Sequence, residues 1–356
     1  MSHNTRIFLL IASLVVITGA ILYLQGQKPV FQSALPIGGN ISKSAGKITY
    51  DRAKEITDPA GFINTTPFAL KDIIGKKVIL LDFWTYSCIN CQRTTPYLNA
   101  WYEKYRDQGL EIVGVHTPEF SFEKKYENVQ AAVKKMGIKY PVVLDNNNGT
   151  WDAYQNLYWP EEYLIDIDGF IVYKHAGEGE YDKTEEKIQQ LLEERASALH
   201  FKDEVTKDMA TPKNLVNIDY KSVKSPETYF GAMRNEFLAN GKKGTEGVTH
   251  FTAPASAVEP NQLYLEGDWD IQHEFAQNKS KDAKIVFRYQ AKNVYIVASA
   301  KKPITVRVIQ DGKPQAPITI SAEKLYTIIQ GNDYGDHTLE LIVGQPDLSA
   351  FTLTFG

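Results

Sequence analysis

The sequence predicts an α/β domain followed by an all-β sandwich or jelly roll, with a single membrane-spanning helix in front of both. Three observations predict this. An uncharged apolar run stands almost at the amino terminus, strand-like and helix-like segments alternate over residues 48–200, and within 201–356 the chain becomes short β-type runs separated by turn residues from Leu263 onward. A chain of 356 residues exceeds one ordinary compact domain, and an apolar fraction of 43% allows two cores.

Residues 1–6 are a short tail. Ile7 to Leu24 (IFLLIASLVVITGAILYL) carries no charge and has about the length a spanning helix needs. The apolar part of a secretory signal is shorter, no A-x-A site follows, and no cysteine is present for lipid attachment, so residues 7–24 read as an uncleaved single-pass anchor. A cleaved signal is the alternative. Arg6 before the span and Lys28 after it give a weak charge bias. The tiny tail suits export, which places the remaining chain on the extracytoplasmic, periplasmic side of the cell membrane. Residues 25–47, rich in Gly, Ser, Pro and Gln, form a tether.

Within 48–200, Val78–Trp84 (VILLDFW) is a short apolar run and predicts a buried strand. Cys91–Gln108 carries apolar residues at helical spacing and stops before Gly109; Leu110–Val115 is a second buried strand. Glu123–Met136 reads as an amphipathic helix ending at Gly137. Tyr163–Ile167 and Phe170–His175 flank Asp168-Gly169, a hairpin signal. Lys183–Leu199 closes the domain as a helix, giving an α/β layer structure on a mixed sheet. In 201–356 a short helix is expected within Ser225–Ala239. Alternation such as Ile304-Thr305-Val306-Arg307-Val308 then marks strands of a sandwich.

Net charge is −4 with both signs interspersed, which argues against a nucleic-acid partner. The 7 histidines are scattered and no Cys/His spacing suits zinc, so no metal is expected. There are 2 cysteines, Cys88 and Cys91, and a chain without spare thiols suits an oxidising compartment. The pair directly follows a buried strand and opens a helix. That placement aims backbone N–H groups and the positive helix end at the first sulfur, favouring its ionised form. Cys88 is then the exposed nucleophile and Cys91, one turn inside, the resolving thiol.

The stretch LLDFWTYSCINCQRTTPYL resembles the active-site region of the thioredoxin superfamily, in particular its membrane-tethered TlpA/ResA-like branch. SCINCQ followed by a β domain is similar to the extracytoplasmic half of DipZ-type proteins, whose second domain looks like a carbohydrate-binding module. The first resemblance covers about residues 48–200 and implies a thioredoxin-like fold; the second covers most of 201–356. Together they imply a thiol–disulfide oxidoreductase acting on exported thiol or disulfide proteins, with no cofactor beyond a redox-active Cys88–Cys91 disulfide. No multi-spanning electron-transfer module accompanies the cysteines in this sequence, so a separate membrane electron donor of the CcdA/DsbD kind is implied.

Residue by residue, the resemblance makes Asp82 the buried acid that accepts a proton from the resolving thiol. Trp84 becomes a packing residue and Pro96 the proline that kinks the active-site helix. Trp159-Pro160 becomes the cis-proline loop that pairs with a substrate strand. Glu119, in GVHTPEF, falls where TlpA/ResA-like members place an active-site glutamate; the alternative is a solvated loop charge. Ser87 stands where thioredoxin itself has tryptophan. Ile-Asn replaces Gly-Pro between the cysteines, so Asn90 retains an N–H that can point at the Cys88 sulfur.

Other functions fit parts of the sequence. Thr85-Tyr-Ser-Cys88 has the T-x-x-C element of a thiol peroxidase, although Leu81 stands where that family has proline. A surface binding protein acting through the β domain is the other alternative. Exposed Trp269 or Tyr264 would stack on glycan, against the ordinary expectation that aromatics in alternating strands are core.

Overall fold

The structure, a computed structural model, describes residues 50–201, 204–254 and 257–356. The anchor expected over 7–24, its short tail and the tether 25–47 lie outside the described residues. Among the described residues no helix is long and apolar enough to cross a membrane. Tyr50–Gly356 forms one compact unit with an α/β half and a β-rich half.

The α/β half runs β1 (Gly61–Ile63), β2 (Val78–Trp84), α1 (Ile89–Tyr105), β3 (Leu110–His116), α2 (Tyr126–Lys135), β4 (Val142–Leu144), α3 (Gly149–Tyr154), β5 (Glu161–Ile165), β6 (Ile171–Ala176) and α4 (Tyr181–Ala198). The sheet order is β1-β4-β3-β2-β5-β6. β2 pairs parallel with β3 and antiparallel with β5, so it lies inside a mixed sheet. All residues of β2 are buried because both faces of the sheet are covered. Val78, Leu80 and Trp84 join the cluster with Trp101 and Tyr105 of α1 and Ile188 and Leu192 of α4. Ile79, Leu81 and Phe83 point the other way, onto Tyr154 and Tyr163. Truncating one such residue, for example Leu80→Ala, would cost about 2–5 kcal/mol.

The first helix starts two residues before its expected beginning and tightens into a 3-10 turn at Arg106–Gln108, ended by Gly109 at φ +110. The helix expected over Glu123–Met136 is divided. Ser121–Lys124 forms a 3-10 turn and α2 begins only at Tyr126, because the Glu123 carboxylate folds back onto backbone N–H groups.

The β-rich half contains β7 (Thr228–Tyr229), β8 (Gly247–Phe251), β9 (Leu263–Ile271), β10 (Ala276–Asn278), β11 (Ala283–Ala300), β12 (Ile304–Gln310), β13 (Lys313–Pro314), β14 (Ile318–Ile320), β15 (Lys324–Val343) and β16 (Leu348–Phe355). They make one hydrogen-bonded network rather than two separate sheets. β11 pairs with β9 through Leu263–Glu266, then with β16 from Val294 onward, and its pairing with β15 is irregular around Ala291–Tyr295. Long strands that change partners in this way turn the corner of a packed β structure.

The short helix expected within Ser225–Ala239 does not form. Its backbone bonds outward instead, Phe230 N–H to the Phe351 carbonyl at 3.0 Å and Ala232 N–H to that of Gln272 at 2.9 Å. Trp269 and Tyr264 are 0% and 8% exposed, so neither offers a face for stacking on sugar. Alternation along β9 turns Trp269 into the core with Leu263, Leu265 and Ile271, where its indole N–H donates to the Glu266 carbonyl at 3.0 Å; Tyr264 lies on the opposite face and is buried there.

The two halves share a core. Val297 and Phe351 belong to the same cluster as Trp84 and Trp101. The Phe351 ring lies 5.1 Å from Phe120 and 4.8 Å from Phe122. Lys125 pairs with Glu323 at 2.7 Å, and Ser121 Oγ donates to Glu274 at 2.8 Å.

Candidate active site

Cys88 is the N-cap of α1, with extended backbone (φ −72, ψ 121), and its sulfur accepts the Cys91 N–H at 3.4 Å. A cap bond from the third helical N–H replaces the usual serine or aspartate oxygen, so the sequence Cys-x-x-Cys itself starts the helix. The expected N–H of Asn90 is not the one that makes this bond. Asn90 instead receives Arg93 Nη2 on its Oδ1 at 2.7 Å. Both cysteines are free thiols, Cys88 half-buried and Cys91 buried. The Cys88 thiol also faces the Trp159 carbonyl at 3.8 Å. Burial, followed by the neighbouring Cys88 sulfur and the Asp82 charge, pushes the Cys91 thiol well above its ordinary value.

Asp82, on β2, is 2% exposed, and burial pushes its carboxyl up to about 8. Its cross-strand partners are Gly114 on β3 and Glu162 on β5. A Cβ on Gly114 would stand 2.9 Å from the Trp84 indole nitrogen and 3.1 Å from the Tyr140 ring, so glycine is what lets these rings close over the row.

The Trp159–Pro160 bond is cis, as the resemblance implied. The Trp159 indole donates to the Thr117 carbonyl at 3.0 Å, and the Thr117 hydroxyl donates to Asp145 at 3.1 Å. Asp145 also accepts the Thr150 and Trp151 N–H groups at 2.9 Å, capping α3. One buried carboxylate therefore ties α3, the end of β3 and the proline loop together beside Cys88.

Glu119 is not a solvated loop charge. Its side chain is 8% exposed, accepting Arg234 Nη1 and the Tyr229 hydroxyl, each at 2.8 Å. The Arg234 guanidinium lies 3.7 Å from the centre of the Tyr229 ring. These partners come from the β-rich half and were missed from the sequence, where Ser225–Ala239 read as a helix. They form the far wall of a cavity of about 400 Å³ whose near wall holds Cys88, Asn90 and Trp159. Leu157 and Tyr158, also in its lining, are 72% and 50% exposed.

Glu123 was missed as well. Fully buried, it accepts Ser87 N–H at 3.2 Å, Ser87 Oγ–H at 2.6 Å, Glu119 N–H at 2.7 Å and Phe120 N–H at 3.0 Å. Burial and then the Glu119 charge raise its carboxyl, while the Ser87 bond pulls it back. Glu123 thus clamps the Cys88 loop to the Glu119 loop, which gives Ser87 its purpose. Arg93, on α1, makes a buried bidentate pair with Glu178, Nε to Oε2 at 2.7 Å. Spacing alone signals neither contact, because each joins segments distant in sequence.

Comparison with known proteins follows the same division. The AhpC/TSA family matches residues 50–174, and the family described as a thioredoxin-like C-terminal domain matches residues 225–356. Protein DipZ of Mycobacterium tuberculosis is 37% identical over 307 residues, which are 85% of this chain and 43% of that protein. Thiol-disulfide oxidoreductase ResA of Bacillus thuringiensis is 32% identical over 34% of this chain and 67% of its own length. A solved thioredoxin domain of a thiol-disulfide oxidoreductase from Bacteroides vulgatus is 28% identical, covering 40% of this chain and 99% of that one, with a TM-score of 0.34. The chain spans less than half the length of the DipZ proteins it matches, at 43%.

Proposed function

Because the chain belongs to the thioredoxin-like thiol–disulfide oxidoreductases, we propose that Cys88 and Cys91 exchange disulfides with exported proteins on the outer side of the membrane. One observation carries the reading: a half-buried sulfur caps the amino end of α1 at a cleft, with a second thiol buried one turn deeper. Cys88 attacks the incoming disulfide, and its sulfur bonds one substrate sulfur while the other leaves as thiolate. Cys91 then attacks the Cys88 sulfur, expels the second substrate thiol and closes the Cys88–Cys91 disulfide. Asp82 takes the Cys91 proton. The cis-proline loop offers the Trp159 backbone to a substrate segment, and Glu119 forms the opposite wall. The protein needs no cofactor for these steps, since the reactive disulfide is its own.

The Thr85 hydroxyl, which would serve a peroxidase, is fully buried within 3.4 Å of His116 Nε2; this favours disulfide exchange over peroxide chemistry. The apolar run over 7–24 and the absence of spare cysteines support a single-pass anchor with the catalytic halves extracytoplasmic. A separate membrane donor of the CcdA/DsbD kind would then keep the pair reduced.

The decisive experiment is a trap. Cys91→Ser protein mixed with a peptide disulfide should accumulate a covalent adduct through Cys88, seen by mass spectrometry and released by reductant. Cys88→Ser protein should form none. Failure of Cys91→Ser to form any adduct would overturn the reading.

A further inference from the structure

Across the middle of the α/β sheet, Glu162 on β5, Asp82 on β2 and Gly114 on β3 are register partners in one row. Direct cross-strand neighbours point to the same face, with Cβ atoms about 4.5–5.5 Å apart. The two acids therefore face each other, and both are buried, at 2% and 1% exposure. Among the described residues, Asp82 Oδ1 and Glu162 Oε2 have no hydrogen-bond partner. Two carboxylate oxygens are both acceptors, so neither is satisfied by the other unless one carries a proton. The ionisable groups facing Asp82 are Glu162, Cys91 and Tyr140. Those facing Glu162 are Asp82, Tyr140, Tyr173, Tyr181 and its register partner His175 on β6, with the Thr184 hydroxyl of α4 at its other side. The His175 Nδ1 lies 3.8 Å from Glu180, and burial holds its imidazole below the ordinary value, so the row carries no fixed cation.

We propose that Asp82 and Glu162 work as one proton-sharing pair behind Cys91, with Glu162 the positioning residue that donates its proton to the Asp82 carboxylate. This rests on the exchange chemistry above. When the Cys91 thiol attacks the mixed disulfide, the sulfur–sulfur bond to substrate breaks and the Cys88–Cys91 bond forms. The substrate sulfur leaves as thiolate, and the Cys91 proton passes to the singly ionised form of the pair, which fills as pH rises toward the range where Asp82 ionises and which becomes fully protonated in the step. The departing thiolate or water then takes that proton away. Glu162 makes the Asp82 anion affordable in an apolar site by giving it a hydrogen bond that no cation supplies.

The test uses reduced full-length protein and an aromatic disulfide whose released thiolate is coloured. In a rapid-mixing trace the first colour phase reports attack by Cys88 and the second reports resolution by Cys91. Wild-type protein without a first phase would overturn the exchange reading and this inference with it. With a first phase present, the second is followed against pH in wild type, Glu162→Gln and Glu162→Leu. Loss of the donor should make Asp82 harder to ionise, so the acid limb of the second phase moves to higher pH. The shift should be about one pH unit in Glu162→Leu and smaller in Glu162→Gln, whose amide still donates. An unmoved limb, or one displaced to lower pH because two charges had been repelling each other, overturns the pair. Infrared spectra need no turnover. Resting wild-type protein near neutral pH should show a buried protonated-carboxyl band that weakens in Glu162→Gln, and an unchanged band overturns the proposal too.

Discussion

Replacing Asp82 with asparagine should stabilise the protein in neutral and alkaline solution while slowing its chemistry. Burial lifts the Asp82 carboxyl from 3.8 to about 8. The unfolded chain ionises this group near its ordinary value, so between about pH 4 and pH 8 the folded protein holds a proton the unfolded chain has shed. The group's contribution is therefore complete below the ordinary carboxyl range and is lost as pH rises through about 8; unfolding free energy falls with pH. At about 1.4 kcal/mol per pH unit over about four units, the linkage reaches about 6 kcal/mol. Relaxation and water entry around a buried charge make that an upper limit. Asparagine keeps the shape and has no proton to lose. Urea unfolding of the dithiol protein at about pH 5, 7 and 9 measures the effect. The Asp82→Asn slope against pH should be shallower by about one proton, and the variant should exceed wild type by several kcal/mol at about pH 9. Glu162, also raised by burial, leaves part of the slope in place. Parallel slopes, or a variant weaker than wild type at the alkaline end, would refute a buried, protonated Asp82.

Glu123→Ala should cost about 3–4 kcal/mol, because the Ser87, Glu119 and Phe120 N–H groups lose their acceptor at once; Glu123→Gln keeps an acceptor and should cost about half, both read by urea unfolding. Arg93→Met strands Glu178 as an unpaired buried acid and should cost about 3–5 kcal/mol, most of it recovered by adding Glu178→Met. A double-mutant cycle of Glu119→Gln with Arg234→Ala should give a coupling of about 1–2 kcal/mol, discounted for the part-exposed arginine. A coupling near zero would mean that the ion pair does not hold the cleft walls together.

The α/β half was legible wherever physics is local. β2 coincides with the predicted Val78–Trp84 because a strand buried on both faces needs a nearly continuous apolar run, here interrupted only by Asp82, and the helix behind the cysteines follows from apolar residues at helical spacing. What escaped depends on distant segments. Ser225–Ala239 has enough helix formers to suggest a helix, yet its backbone is taken by β16 and the β9–β10 turn. Glu119 could be placed at a site from its motif, but not that Tyr229 and Arg234 would neutralise it from the other half. Nothing in Pro160-Glu161-Glu162 distinguishes Glu162 from its neighbour. Only the register with Asp82 gives it significance. Asn90 was assigned a backbone bond that Cys91 makes instead, since a helix cap reaches its third residue.

The buried acids explain why the two halves are fused into one unit. Asp82, Glu123 and Glu162 are each kept out of water, and every such group costs several kcal/mol unless it is neutral or fully hydrogen-bonded. That cost must be offset by packing close enough to keep the groups where they are. The α/β half provides the Leu80, Trp84 and Trp101 layer, but the Glu119–Lys125 segment that carries the Glu123 clamp is covered by Phe351, Arg234 and Glu323 of the β-rich half. Without that cover Phe120 and Phe122 would face water, Glu119 would lose both partners, and water would reach the carboxylate that orients the Cys88 loop. In the proposed exchange the β-rich half would then act without contributing a reactive atom: it covers the loop behind Cys88 and forms the far wall of the cleft through which a disulfide would reach that sulfur.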